Sequence, residues 1–128
     1  DRGAKPASGS QKTRGMLICP CSMGTVAAIA HGTSRSLVER SADVTLKERR
    51  PLVLMVRESP LHLGHLRSLT ALAEMGAILA PPMPAFYHQP KSVADIVEDS
   101  VDRVMALAGT PAADARHWEE SRESQTDR

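Results

Sequence analysis

Apolar residues along this chain fall into two kinds of run, short continuous blocks and longer stretches with helical spacing. Gly15-Met-Leu-Ile-Cys-Pro20 and Pro51-Leu-Val-Leu-Met-Val-Arg57 are almost unbroken apolar blocks, as expected of strands buried on both faces of a sheet. Ala77-Ile-Leu-Ala80 predicts a third, shorter strand, cut off by Pro81-Pro82. Between the first two blocks, Ser22 is placed to cap a small-residue helix running through Ala30 and ending near His31-Gly32. Leu37 to Arg50 is helical in composition, with basic residues in its last turn and Pro51 stopping it. Pro60 to Gly76 holds a helix with apolar Leu66, Leu69, Leu72 and Ala73, and Gly76 ends it. Ser92, with Asp95 three residues later, resembles a capping box. It opens a helix whose apolar face is Val93, Ile96, Val97, Val101, Val104 and Met105, ending at Gly109.

Strand and helix alternating three times predict an α/β fold, a parallel sheet with helices on its faces in three α/β/α layers. Residues 1–13 are rich in Gly, Ser and Pro and predict a loop. Residues 110–128 predict a polar C-terminal tail, apart from Trp118, so that 1–109 form the folded domain. Three strands are few for a sheet covered on both sides, and the expectation is that an N-terminal strand is missing.

Composition narrows the class without naming it. Phe86, Tyr87 and Trp118 are the aromatic residues of the chain, so the core must be built from Leu, Val, Ile, Ala and Met. Sixteen basic against fifteen acidic residues give a net charge of +1, no field that would draw nucleic acid or a membrane surface. No apolar run approaches the ~20 residues of a membrane span. Cys19 and Cys21 lie too close together to staple distant parts of a fold, and predict reduced thiols in a cytosolic protein.

Ligands of such sheets sit beyond the carboxyl ends of the strands, which directs attention to four segments. Cys21-Ser-Met-Gly-Thr25 follows a strand and opens a helix, offering free N–H groups and two hydroxyls to a phosphate or a polar ring edge; an ordinary helix cap is the alternative. Arg57-Glu58 ends a buried strand, where the arginine can clamp an anion and the carboxylate can move a proton, or the two form a surface ion pair. Ala85-Phe-Tyr-His88, in a proline-rich loop, lines a pocket or stiffens a loop. Ala7-Ser-Gly-Ser10 can cradle an anion, or it is a flexible linker. His62 and His65, three apart on a helix, fit capping or core roles better than a zinc site.

Taken in order, GA-x-P-ASGS, GMLICPCSMGTVAAIAHG, SADVTLKERRPLVLMVRESPLHL and GAILAPPMPAFYHQP resemble the flavin prenyltransferases, the UbiX-type family also labelled phenylacrylic or aromatic-acid decarboxylase subunits. The match runs from about Gly3 to Leu107. The resemblance implies a Rossmann-like flavoprotein fold and a homododecamer with FMN at subunit interfaces. It implies metal-independent transfer of a dimethylallyl group from dimethylallyl phosphate to reduced FMN. The prenylated FMN serves a UbiD-type decarboxylase in ubiquinone synthesis or aromatic-acid metabolism.

By the same resemblance Ser22, Met23, Gly24 and Thr25 hold the flavin and Arg57 contacts FMN. Ala7, Ser8 and Gly9 cradle the prenyl phosphate, and Arg40, Lys47, Tyr87 and Arg103 are its remaining ligands, some from neighbouring subunits. Glu58 is the acid/base beside the leaving group, and Trp118 matches a carboxy-terminal aromatic that encloses the site. Arg103 is equally compatible with a plain surface arginine. The family's opening strand and its glycine–serine loop on the FMN phosphate have no counterpart here, Gln11 stands where phenylalanine is common, and Lys5 where proline is. That departure keeps open a truncated, non-catalytic FMN-binding or assembly subunit. A flavoprotein decarboxylating cysteine-type substrates is a third reading, disfavoured by the phosphate ligands.

Overall fold

The five residues Leu52–Val56 are all buried, and the rest of the described molecule is arranged around them. The structure is a computed structural model that describes residues 14–109. In chain order its elements are β1 (Met16–Cys21), α1 (Met23–His31), α2 (Leu37–Lys47), β2 (Leu52–Val56), α3 (Leu63–Glu74), β3 (Ile78–Leu79), a 3-10 turn (Phe86–His88) and α4 (Val93–Leu107). The strands form one parallel sheet in the order β1-β2-β3. Ala7, Ser8, Gly9 and Trp118, with the predicted loop 1–13 and tail 110–128, lie outside the described residues.

Alternation along β2 divides the core in two. Leu52, Leu54 and Val56 face a cluster made with Ile18 and Cys21 of β1, Met23, Val26 and Ile29 of α1, Ala42 of α2 and Leu72 of α3. Val53 and Met55 face the other way, onto Val104 of α4 and Ala108. The described fold is therefore the expected three-layer sandwich, with α1, α2 and α3 on one side of the sheet and α4 on the other.

Three details depart from the sequence pattern, each for a local reason. Pro20 was expected to end the first strand, yet β1 continues to Cys21. Ile18 pairs with Leu54 and Cys21 with Val56, so β1 carries one extra residue across a bulge. A proline cannot donate to a ladder, and a bulge on an outer strand is where a sheet tolerates one. The second helix ends at Lys47, three residues short of Arg50. There Arg49 turns left-handed, φ 58°, while the N–H groups of Arg49 and Arg50 reach back to the carbonyls of Leu46 and Thr45. The same pair of bonds closes α1 at Gly32 and α3 at Gly76, where glycine adopts the positive φ freely. At Arg49 it costs about 1 kcal/mol.

The third departure concerns α4. Of the predicted apolar face, Val104 is buried, but Val93, Val97, Val101 and Met105 are exposed, Val93 at 75%. The helix turns Val104, Leu107 and Ala108 to the sheet instead. Ser92 Oγ accepts from the Asp95 N–H at 3.1 Å as the capping pattern requires. Asp95 completes the cap one residue upstream, accepting from the Lys91 N–H at 2.8 Å.

This packing makes Leu54, fully buried, far less replaceable than Val97. Leu54→Ala is expected to lower unfolding stability by about 2–5 kcal/mol in urea titration, and Val97→Ala by about 0.5 kcal/mol or less.

Candidate functional site

Register decides which side chains meet at the carboxyl edge of the sheet. Because Cys21 pairs with Val56, the residues that follow each leave the sheet side by side, and the Arg57 N–H donates to the Cys21 carbonyl at 3.2 Å. Ser22 and the Arg57-Glu58 pair are thus brought together by backbone alone. β3 ends at Leu79 and is followed by the proline-rich segment that carries Tyr87.

The first turn of α1 offers hydrogen-bond donors to a polar group. Ser22 Oγ accepts from the Thr25 N–H at 3.1 Å and donates to Thr25 Oγ1 at 3.1 Å. The N–H groups of Met23 and Gly24 have no acceptor within the helix, as its geometry requires. A methyl added at Gly24 would come no nearer than 3.8 Å to Ser22 Oγ and 4.0 Å to Arg35 Nη2, so the turn is open to an approaching group. The side chain of Met23 itself is buried in the core; what it offers outward is its N–H.

A side-chain pair absent from the sequence reading fixes this turn in place. Arg35 donates from Nη2 to the Gly24 carbonyl at 3.3 Å, and grips Glu39 through Nε at 3.1 Å and Nη2 at 2.7 Å. Glu39 is buried, and it also accepts from the Arg35 N–H at 2.9 Å. Ser36 Oγ accepts from the Glu39 N–H at 3.2 Å. The signal was present as Ser36-x-x-Glu39, a helix-start pattern like that of Ser92 and Asp95. Arg35 holds the Glu39 carboxyl below the ordinary carboxylate range through its hydrogen bonds.

The remaining expected residues occupy several places. Arg57 and Glu58 are exposed at the carboxyl edge. Arg40 is exposed in the first turn of α2, the end that Arg35 ties to Gly24. Lys47 closes the other end of α2, near Pro51, whose carbonyl accepts from the Met16 N–H at the start of β1. Within one chain Lys47 therefore lies toward the amino edge, away from Ser22. Tyr87 is 75% exposed and stacks at a tilt on His88, centroids 4.1 Å apart. Arg103 is exposed on α4, on the opposite face of the sheet from α1 and α2. The described chain unites Ser22–Thr25 with Arg57 and Glu58; it does not bring Lys47 or Arg103 to them.

Burial pushes the Cys21 thiol up to about 11, so it stays protonated near neutral pH, while the exposed Cys19 sits against Met55, Sγ to Sδ 3.3 Å. No described helix is long and apolar enough to cross a membrane.

A parallel sheet flanked by helices, with a helix starting at its carboxyl edge, defines a Rossmann-like α/β fold. The flavoprotein family model matches residues 3–107. The chain is 55% identical over 105 residues to the flavin prenyltransferase UbiX of Escherichia coli (strain K12), a match covering 82% of this chain and 56% of that protein. Among solved structures it is similar to AnUbiX in complex with FMN and dimethylallyl pyrophosphate, with TM-score 0.82 and 45% identity over 89% of this chain and 61% of that one. It is also similar to a dodecameric FMN-dependent UbiX-like decarboxylase from Escherichia coli, with TM-score 0.79 and 50% identity over 85% and 59% of the two chains. The chain belongs to the UbiX-type flavin prenyltransferase family of flavoproteins, and it spans less than two thirds of the length of these relatives.

The Arg35–Glu39 pair gives a pH signature. A carboxyl held low in the folded state stabilises the fold fully above its unfolded pKa, about 4.3, and loses that contribution as pH falls through the lower folded value. The stability gap between wild type and Glu39→Gln in urea should be full near neutral pH and close at acid pH. A gap that does not change with pH would contradict the pairing.

Proposed function

We propose that this chain carries the working edge of a flavin prenyltransferase, transferring a dimethylallyl group from dimethylallyl phosphate to reduced FMN for use by a UbiD-type decarboxylase. The observation that carries this reading is the bond from the Arg57 N–H to the Cys21 carbonyl, which sets Arg57 and Glu58 beside the open first turn of α1. The relative solved in complex with FMN and dimethylallyl pyrophosphate, and the FMN-dependent one, support the choice of ligands.

The residues fit a flavin on geometric grounds. The free N–H groups at Met23 and Gly24 and the hydroxyls of Ser22 and Thr25 suit a polar ring edge or phosphate, and Gly24 leaves room for it. Bound reduced FMN supplies the electron-rich ring that receives the prenyl group.

The chain's own residues then act on the leaving group. As the allylic C–O bond breaks, negative charge gathers on phosphate, and Arg40, Lys47, Tyr87 and Arg103 are its ligands. Those distant from Ser22 within one chain act from neighbouring copies in a homododecamer. Each charge-assisted hydrogen bond contributes about 1.5–3 kcal/mol. Glu58 moves the proton beside the leaving phosphate. Ala7, Ser8 and Gly9 as ligands of the prenyl phosphate, and Trp118 as an aromatic of the site, belong to this reading by resemblance alone. The enzyme acts in the cytoplasm, in ubiquinone synthesis or aromatic-acid metabolism.

A second reading is a non-catalytic FMN-binding or assembly subunit. Anaerobic incubation with reduced FMN and dimethylallyl phosphate separates the two by mass spectrometry of the extracted flavin. The enzyme reading predicts a mass gain of one prenyl group. It also predicts that Glu58→Gln slows the gain by about a hundredfold or more while FMN still binds. Unmodified flavin with both ligands bound would leave the subunit reading standing.

A further inference from the structure

His62 and His65 have no part in the reaction above, yet they build an unusual joint directly behind Glu58. His62 Nδ1 accepts from the His65 N–H at 3.2 Å, and His65 Nδ1 accepts from the His62 N–H at 3.4 Å. The reciprocal cap that opens α3 is thus made by two imidazoles, where Ser or Thr with Glu or Gln is the usual pairing. The rings stack with centroids 3.5 Å apart and 21° between planes. Gly64 is what permits this. A methyl there would lie 2.8 Å from His62 Cε1 and 3.1 Å from Nδ1, so the ring lies over the first turn only because residue 64 has no side chain.

A ring nitrogen accepts a hydrogen bond only while it carries no proton. Protonating either Nδ1 sets a donor against a backbone donor. It also puts positive charge on the positive end of a helix, and a second charge would stack on the first. The two bonds as built require both Nδ1 atoms to act as acceptors. The elements packed most closely on α3 are α1 and β3, and its Leu72 also joins the cluster of β1, β2 and α2. The titratable side chain of α1 is His31, its last residue, and β3 has none. Along the chain the charged residues nearest the pair are Arg57 and Glu58 upstream and Arg67 within α3, with Glu74 at the far end of that helix.

We propose that His62 and His65 are positioning residues, a proton-sensitive clasp that fixes where the segment Arg57–Leu61 passes from β2 into α3 and so where Arg57 and Glu58 stand at the sheet's carboxyl edge. The link to Arg57 and Glu58 rests on the function proposed above; the clasp itself does not. Acidification opens the clasp and loosens the segment while the core stays folded.

Amide exchange of His65, whose N–H the His62 ring accepts, tests the clasp in the full chain without reference to activity. Between about pH 8 and about pH 5, the protection factor of this amide in wild type should fall about tenfold. In His62→Asn, which caps without titrating, it should stay within about threefold. Protection in wild type that does not change with pH, or an equal fall in His62→Asn, would overturn the clasp. The positioning claim is read from prenyl-flavin formation, where the acid limb should move to lower pH in His62→Asn. Coincident acid limbs in the two proteins would overturn it. Absence of product at every pH would count against the enzyme reading, leaving the amide measurement to decide on the clasp.

Discussion

Burial of β2 on both faces is the constraint from which the described fold follows. Five consecutive apolar side chains must be covered above and below, and a strand so covered belongs in the middle of a parallel sheet. One face is closed by three helices and the other by α4. β1 and β3 take the two sides. Each of these neighbours is placed by what β2 leaves exposed without it, so a change at Leu54 is felt under α1, α2 and α3, and one at Val53 under α4.

That constraint extends to the site through register. A parallel pairing aligns strand ends, and the extra residue at the β1 bulge shifts the alignment so that Cys21, not Pro20, faces Val56. Ser22 then caps α1 where Arg57 leaves β2. Arg35 binds the result from outside, joining the start of α2 to the Gly24 carbonyl through the buried Glu39. The polar edge thus stands on backbone pairing and one ion pair whose carboxylate is buried, which restricts its geometry before any ligand arrives.

The sequence made the buried blocks, the helix starts at Ser22 and Ser92, and the glycine-closed ends at Gly32 and Gly76 legible, because each depends on local chemistry. The end of α2 was not legible, since Arg49 adopts the conformation glycine would advertise. The α4 stripe misled for a related reason. Helical spacing shows that a face is apolar, while which face meets the sheet is set by tertiary packing, and here it is the one bearing Val104 and Ala108. At the site, Ser22, Gly24, Thr25, Arg57 and Glu58 were legible from their position after strands. Arg35 and Glu39 were missed because opposite charges four residues apart around a helix start ordinarily read as solvated surface. Arg40, Lys47, Tyr87 and Arg103 came from resemblance, and one chain does not gather them.

The central claim is that the edge shared by β1 and β2 binds flavin. Its most direct test is titration of FMN with the chain, followed by quenching of flavin fluorescence, in wild type and in Arg57→Ala. The account predicts saturable quenching by wild type and affinity lower by about tenfold or more in Arg57→Ala. Equal affinities in the two proteins, or no quenching by wild type, would contradict it.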